Sequence, residues 1–166
     1  MALFPGSRLI NGTGFMACAA ALAFALLYLQ GTLGLEPCPL CMVGRLLIAA
    51  IGLIFLLAAL HNPSRTGQRI YAGVNLIFIT LAMGVAGRHV WLQHLPEDQV
   101  PACGADLAYM LENFPLQETL RQVLQGSGEC AETQWTLLGF SIPEQTLLLF
   151  AGLGALTLTQ MLRRHG

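Results

Sequence analysis

Four apolar stretches, at 14–33, 42–60, 70–87 and 146–162, constrain this chain more than any other feature. Each approaches the roughly 20 residues that a helix needs to cross a bilayer, allowing for tilt. The rest of the composition leaves no room for an ordinary soluble domain: 166 residues are 55% hydrophobic and only 10% charged. The expected fold is therefore an all-α integral membrane protein, a four-transmembrane-helix bundle forming a single membrane domain over residues 1–166. The first stretch is read as a retained span, because it exceeds the apolar core of roughly 7 to 15 residues found in a cleaved signal peptide. Cys18, inside it, is read as a small apolar packing residue.

An even number of spans puts both termini on one side, and the basic residues say which. All eight are arginine, and Arg8, Arg65, Arg69, Arg163 and Arg164 fall on the amino terminus, the middle loop and the carboxyl tail. By the positive-inside rule that side is cytoplasmic. The loops 34–41 and 89–143 then face outward, which in a bacterial inner (cytoplasmic) membrane means the periplasm, and all nine acids lie on that side. Cys38, Cys41, Cys103 and Cys130 share this oxidising compartment, where thiol pairs persist as disulfides.

The long outer loop has its own organisation. Apolar residues recur near helical spacing in 105–114 (Leu107, Met110, Leu111, Phe114) and in 116–124 (Leu116, Leu120, Val123, Leu124), with Pro115 between. Two short amphipathic helices are expected, lying on the membrane surface or building a small local core. Ser141-Ile142-Pro143-Glu144 has the form of a capping box before the fourth span. Asn75, inside the third span, is expected to make an interhelical hydrogen bond, and Gly152 and Gly154 to serve helix packing.

Chemistry concentrates at Cys38-Pro39-Leu40-Cys41. With Cys38 as N-cap, Pro39 takes the favoured first helical position and Cys41 falls in the first turn, near unpaired backbone amides that stabilise a thiolate. Arg45 follows Cys41 by four residues and shares its helix face. A C-x-x-C pair alone is compatible with several roles. Cys38, Cys41, Cys103 and Cys130 have the ligand count of a tetrahedral zinc site, but the second pair lacks knuckle spacing and the compartment favours disulfides; no metal is expected. A Cys103–Cys130 bridge could act as a loop staple, worth on the order of 3–4 kcal/mol. Against that, Gly104 and Gly126-Ser127-Gly128 suggest the accessible segment that thiol exchange requires. Arg45 could instead snorkel from its span end, and His89, beside Arg88 and Trp91, could belong to an interfacial belt. The spans carry no mid-membrane Asp or Glu for an ion relay, which weakens a transport reading, while a membrane protein whose outer disulfides only brace its loops stays open. Nothing in the charge pattern calls for nucleic acid.

Together these residues resemble one family, the DsbB disulfide bond formation proteins. The resemblance spans nearly the whole chain. It rests on Cys38-Pro39-Leu40-Cys41 with Arg45, on Arg88-His89-Val90-Trp91-Leu92-Gln93, on Cys103, and on Gly128-Glu129-Cys130-Ala131-Glu132-Thr133-Gln134-Trp135. It implies a disulfide-generating quinone reductase that reoxidises a DsbA-like periplasmic thiol oxidase. Cys103 would form the mixed disulfide with that partner, Cys130 would resolve onto Cys38, and Cys41 would donate electrons to a bound ubiquinone or menaquinone, in a charge-transfer complex. Arg45 and His89 would line the quinone site. Gly44 departs from the polar or acidic residue that often precedes this arginine in the family. A member serving a different thiol partner is the alternative within the same resemblance.

Overall fold

The computed structural model describes residues 6–101 and 107–162. Cys103, Arg163, Arg164 and the first residues of the expected 105–114 helix lie outside them. The chain is an all-α membrane protein built on four long helices. The first runs through Ser7–Thr32 and has two parts, α1 (Ser7–Ala23) and a π-helical segment (Phe24–Thr32). α2 (Pro39–His61), α3 (Arg65–Gln93) and α7 (Ile142–Leu162) complete the set. Between α3 and α7 come α4 (Leu107–Asn113), α5 (Leu116–Gln125), the single turn α6 (Gly128–Ala131) and a two-stranded hairpin, β1 (Thr136–Leu137) and β2 (Phe140–Ser141).

Local signals explain the helix ends. Cys38 is extended and acts as N-cap to Pro39, and α2 stops at Asn62, which adopts the left-handed conformation (φ 40°) immediately before Pro63. α7 begins with half of the expected capping box. The Ser141 backbone N–H donates to Glu144 Oε2 at 2.7 Å, while the buried Ser141 hydroxyl has no partner.

The helices pack in a ring, α1 on α2, α2 on α3, α3 on α7, with α7 returning to α1. Their shared core contains Cys18, Ile48, Ile51, Phe55, Ile79, Ala82, Phe150 and Leu153. Small residues set the spacing between α1 and α2: a Cβ on Gly52 would lie 2.9 Å from Cys18 Cβ, and one on Gly14 would lie 2.9 Å from the Phe55 ring. Close backbone approach of this kind drives association where lipid removes the hydrophobic incentive. Cys18 is thus a small packing side chain. Gly154 is buried against Ile79, whereas Gly152 faces outward with no neighbour and packs against nothing. The outer faces carry exposed Leu27, Leu46, Leu53, Ile77 and Leu148, a distribution suited to hydrocarbon and not to water.

The expected hydrogen bond of Asn75 does not form. Its side chain is buried with Oδ1 unpartnered. The interhelical bonding lies nearer the helix ends opposite the cysteines, where Gln68 Oε1 accepts from Asn11 Nδ2 at 3.1 Å and from Gln160 Nε2 at 2.9 Å, tying α1, α3 and α7 together.

At the cysteine end, α5 divides its apolar face. Thr119 and Val123 are buried, and Val123 joins Met110, Leu40, Leu92, Cys38 and Cys130 in a second core, while Leu116, Leu120 and Leu124 remain exposed. The local core expected from the sequence therefore exists, and an apolar stripe is left over beside it. Arg88 fastens this layer to α3: its Nη2 donates to the Gln125 carbonyl at 3.0 Å, its Nε to that of Leu124 at 3.4 Å, and its guanidinium lies 4.3 Å from the Trp91 ring centre.

Candidate thiol redox site

Three elements bring the site together. The start of α2 supplies Cys38 and Cys41, the far end of α3 supplies His89, and α6 lays Cys130 on top. α6 is placed by Gly126, which has φ 80° and sits so tightly against Leu92 that a Cβ would collide with the leucine side chain. Cys38 is the hub. Its sulfur lies 3.8 Å from His89 Nε2, and Cys130 and Cys41 pack in the same cluster around it. The sulfurs of Cys38 and Cys41 and a His89 ring nitrogen all lie within 4.8 Å of one another. Cys38 and Cys130 are buried and Cys41 is partly exposed, all three as free thiols.

Cys130 sits outside the spans. Its contact with the Cys38 sulfur, followed by burial, raises its pKa well above the ordinary cysteine range. Ser127 Oγ, 3.7 Å from the Cys130 sulfur, is a further polar neighbour.

Cys41 opens onto a cavity of about 280 Å³ enclosed by the π-helical segment, α2, α3 and the start of α7. Phe24, Leu29, Leu40, Ile48, Val85 and Phe150 give it apolar walls, and Arg45, His89 and Gln134 supply polar groups. Gly44 also lines it and leaves open space where a side chain would stand. Trp135 closes one side against the first helix, its ring centre 5.7 Å from that of Phe24 and 6.3 Å from that of Tyr28. The structure thus brings Cys38, Cys41, Cys130, Arg45 and His89 to one place, with Cys103 outside the described residues. It also includes groups that the sequence did not single out as part of a site, among them Phe24, Tyr28 and Ser127, because their role depends on packing between distant segments. Cys38, Cys41 and His89 carry donors that a soft divalent ion accepts, a different set from four cysteines.

This arrangement defines a class: a multi-pass membrane protein that holds a converging set of thiols beside a cavity between its helices. The family of Disulfide bond formation protein DsbB matches residues 7–160. The chain is 54% identical over 153 residues to Disulfide bond formation protein B of Nitrosococcus oceani, covering 92% of this chain and 90% of that one. It is 49% identical over 159 residues to the protein of the same name from Methylococcus capsulatus, covering 94% of each, and 51% identical over 158 residues to that of Hahella chejuensis, covering 95% of each. The chain belongs to the DsbB family of disulfide bond formation proteins, and its role is that of a thiol-disulfide oxidoreductase.

Proposed function

We propose that this chain is an inner-membrane thiol:quinone oxidoreductase that reoxidises a DsbA-like periplasmic dithiol oxidase, with its cysteines on the periplasmic side. The observation that carries this reading is the double environment of the C-x-x-C pair. Cys38 faces Cys130 in the loop layer, while Cys41 opens onto a cavity among the spans together with Arg45 and His89. The orientation follows from Arg8, Arg65 and Arg69 at the opposite end of the bundle.

Electrons enter at Cys103. A partner thiolate attacks the Cys103–Cys130 disulfide, forming a mixed disulfide with Cys103 and releasing Cys130. The partner's second thiol then displaces Cys103, so the partner departs oxidised and Cys103 and Cys130 have gained two electrons and two protons. Alternatively Cys130, once released, attacks the Cys38–Cys41 disulfide at Cys38, which frees Cys41 as thiolate. In the first route Cys130 next attacks Cys38, and in the second the partner's other thiol displaces Cys103; in both, Cys103 then attacks Cys130, re-forming Cys103–Cys130 and releasing Cys38, so that the electron pair rests on Cys38 and Cys41.

The residues present fit a ubiquinone or menaquinone: apolar walls suit a fused or methoxylated ring, and Arg45 and His89 offer donors for its carbonyl oxygens. When bound, a quinone supplies a two-electron, two-proton acceptor dissolved in the bilayer. Arg45, which keeps its charge in any environment, stabilises negative charge at Cys41 and at the acceptor's oxygen. A quinone is the chemically sensible acceptor, since a DsbA-like oxidant near roughly −120 mV lies above the glutathione pools.

The test is anaerobic mixing of purified protein with reduced DsbA and a defined quinone, following quinol formation. Wild type is expected to turn over, and Cys41→Ser to lose at least ~10³-fold of the rate, as removal of an essential nucleophile does. A Cys41→Ser protein that still coupled DsbA oxidation to quinol formation would overturn the proposal.

A further inference from the structure

Arg45 is held in place by the first helix. Its Nη1 donates to Gln30 Oε1 at 2.7 Å and its Nη2 to the backbone carbonyl of Ala25 at 3.3 Å. In an α-helix these two positions could not cooperate, because five residues at about 100° each leave them about 140° apart around the axis. In the π-helical winding of Phe24–Thr32, i→i+5 bonding brings residues five apart closer around the axis, and the Ala25 carbonyl and the Gln30 side chain reach one guanidinium together. The local sequence accommodates that winding. The Thr32 hydroxyl donates to the carbonyl five residues back, Leu27, at 3.0 Å, and the Leu33 N–H does the same to Tyr28 at 3.0 Å. Gly31 lies so near the Leu26 carbonyl that a Cβ would approach to 3.3 Å. Arg45 has five N–H donors and these bonds occupy two, leaving the others for the cavity that it lines.

We infer that Gln30 is a positioning residue that, with the Ala25 carbonyl, fixes the Arg45 guanidinium at the rim of the acceptor cavity, and that the π-helical segment exists in this chain to make that seat. This rests on the reading of the cavity as the quinone site. A neutral acceptor does this without cancelling the charge. A carboxylate in the same place would hold the guanidinium as firmly but neutralise it.

The experiment uses the full chain purified in detergent, with reduced DsbA and ubiquinone-1. Gln30→Leu is expected to raise KM for the quinone ~10-fold with a smaller change in kcat, since a loosened arginine binds the acceptor less well. Gln30→Glu is expected to bring KM back within about threefold of wild type while lowering kcat ~10-fold, because the seat is restored and the charge is quenched. A thermal-unfolding cycle reads the contact without quinone: Gln30→Leu lowers Tm in the wild type and leaves it unchanged in an Arg45→Met background. With a working wild type, an additive cycle, or a KM unmoved by Gln30→Leu, overturns the role of Gln30 and leaves the quinone reading standing. A wild type that reduces no quinone overturns the reading and this role with it, whatever the cycle gives.

Discussion

Cys38 and Cys41 could be read from sequence as a helix-start pair because every determinant is local: an N-cap, a proline at the first helical position, and an arginine one turn on. Gln30 could not, because its value depends on a winding that displaces it from its α-helical position. Asn75 misled for a related reason. A polar residue in a span announces a hydrogen bond, but the partner comes from packing, and the amides that pair with one another across the spans are Asn11, Gln68 and Gln160. Gly126 was legible only as part of a flexible glycine segment, whereas it is a fixed point between α5 and α6 whose missing side chain admits Leu92. Gly126→Ala combines a left-handed φ with a collision and is expected to cost about 1–3 kcal/mol, read as a lower Tm in detergent.

The small elements at the cysteine end were partly legible. Amphipathic spacing foretold α5, and the structure adds that its face is shared between a local core and an exposed leucine stripe. The fastening of that helix was invisible, since Arg88 reaches the last carbonyls of an element more than 30 residues away. Arg88→Ala is expected to speed amide hydrogen exchange across 116–131 by about tenfold, the loss of roughly 1.4 kcal/mol of local protection, while the spans exchange as before. The β1–β2 hairpin was not foreseen because its strands are only two residues each. Thr136 pairs with Ser141 and Leu137 with Phe140, leaving Leu138-Gly139 as the loop, both with positive φ (54° and 85°). Such a turn favours Asn-Gly, and Leu138 is 91% exposed, so Leu138→Asn is expected to gain about 1 kcal/mol and raise Tm.

The bundle as a whole was the most legible feature, because hydrocarbon thickness dictates helix length and only closed hydrogen bonding survives there. Its interior was less so: the approach of α1 to α2 through Gly14 and Gly52, and the amide cluster at the far end, are facts of packing. At the near end, one buried sulfur stands between two others. Divalent sulfur accepts a single disulfide partner, so Cys38 can be joined to Cys41 or to Cys130 but never to both. The molecule therefore contains a turnstile of bonds: whichever neighbour this sulfur joins, the other must find a different partner or stay a thiol.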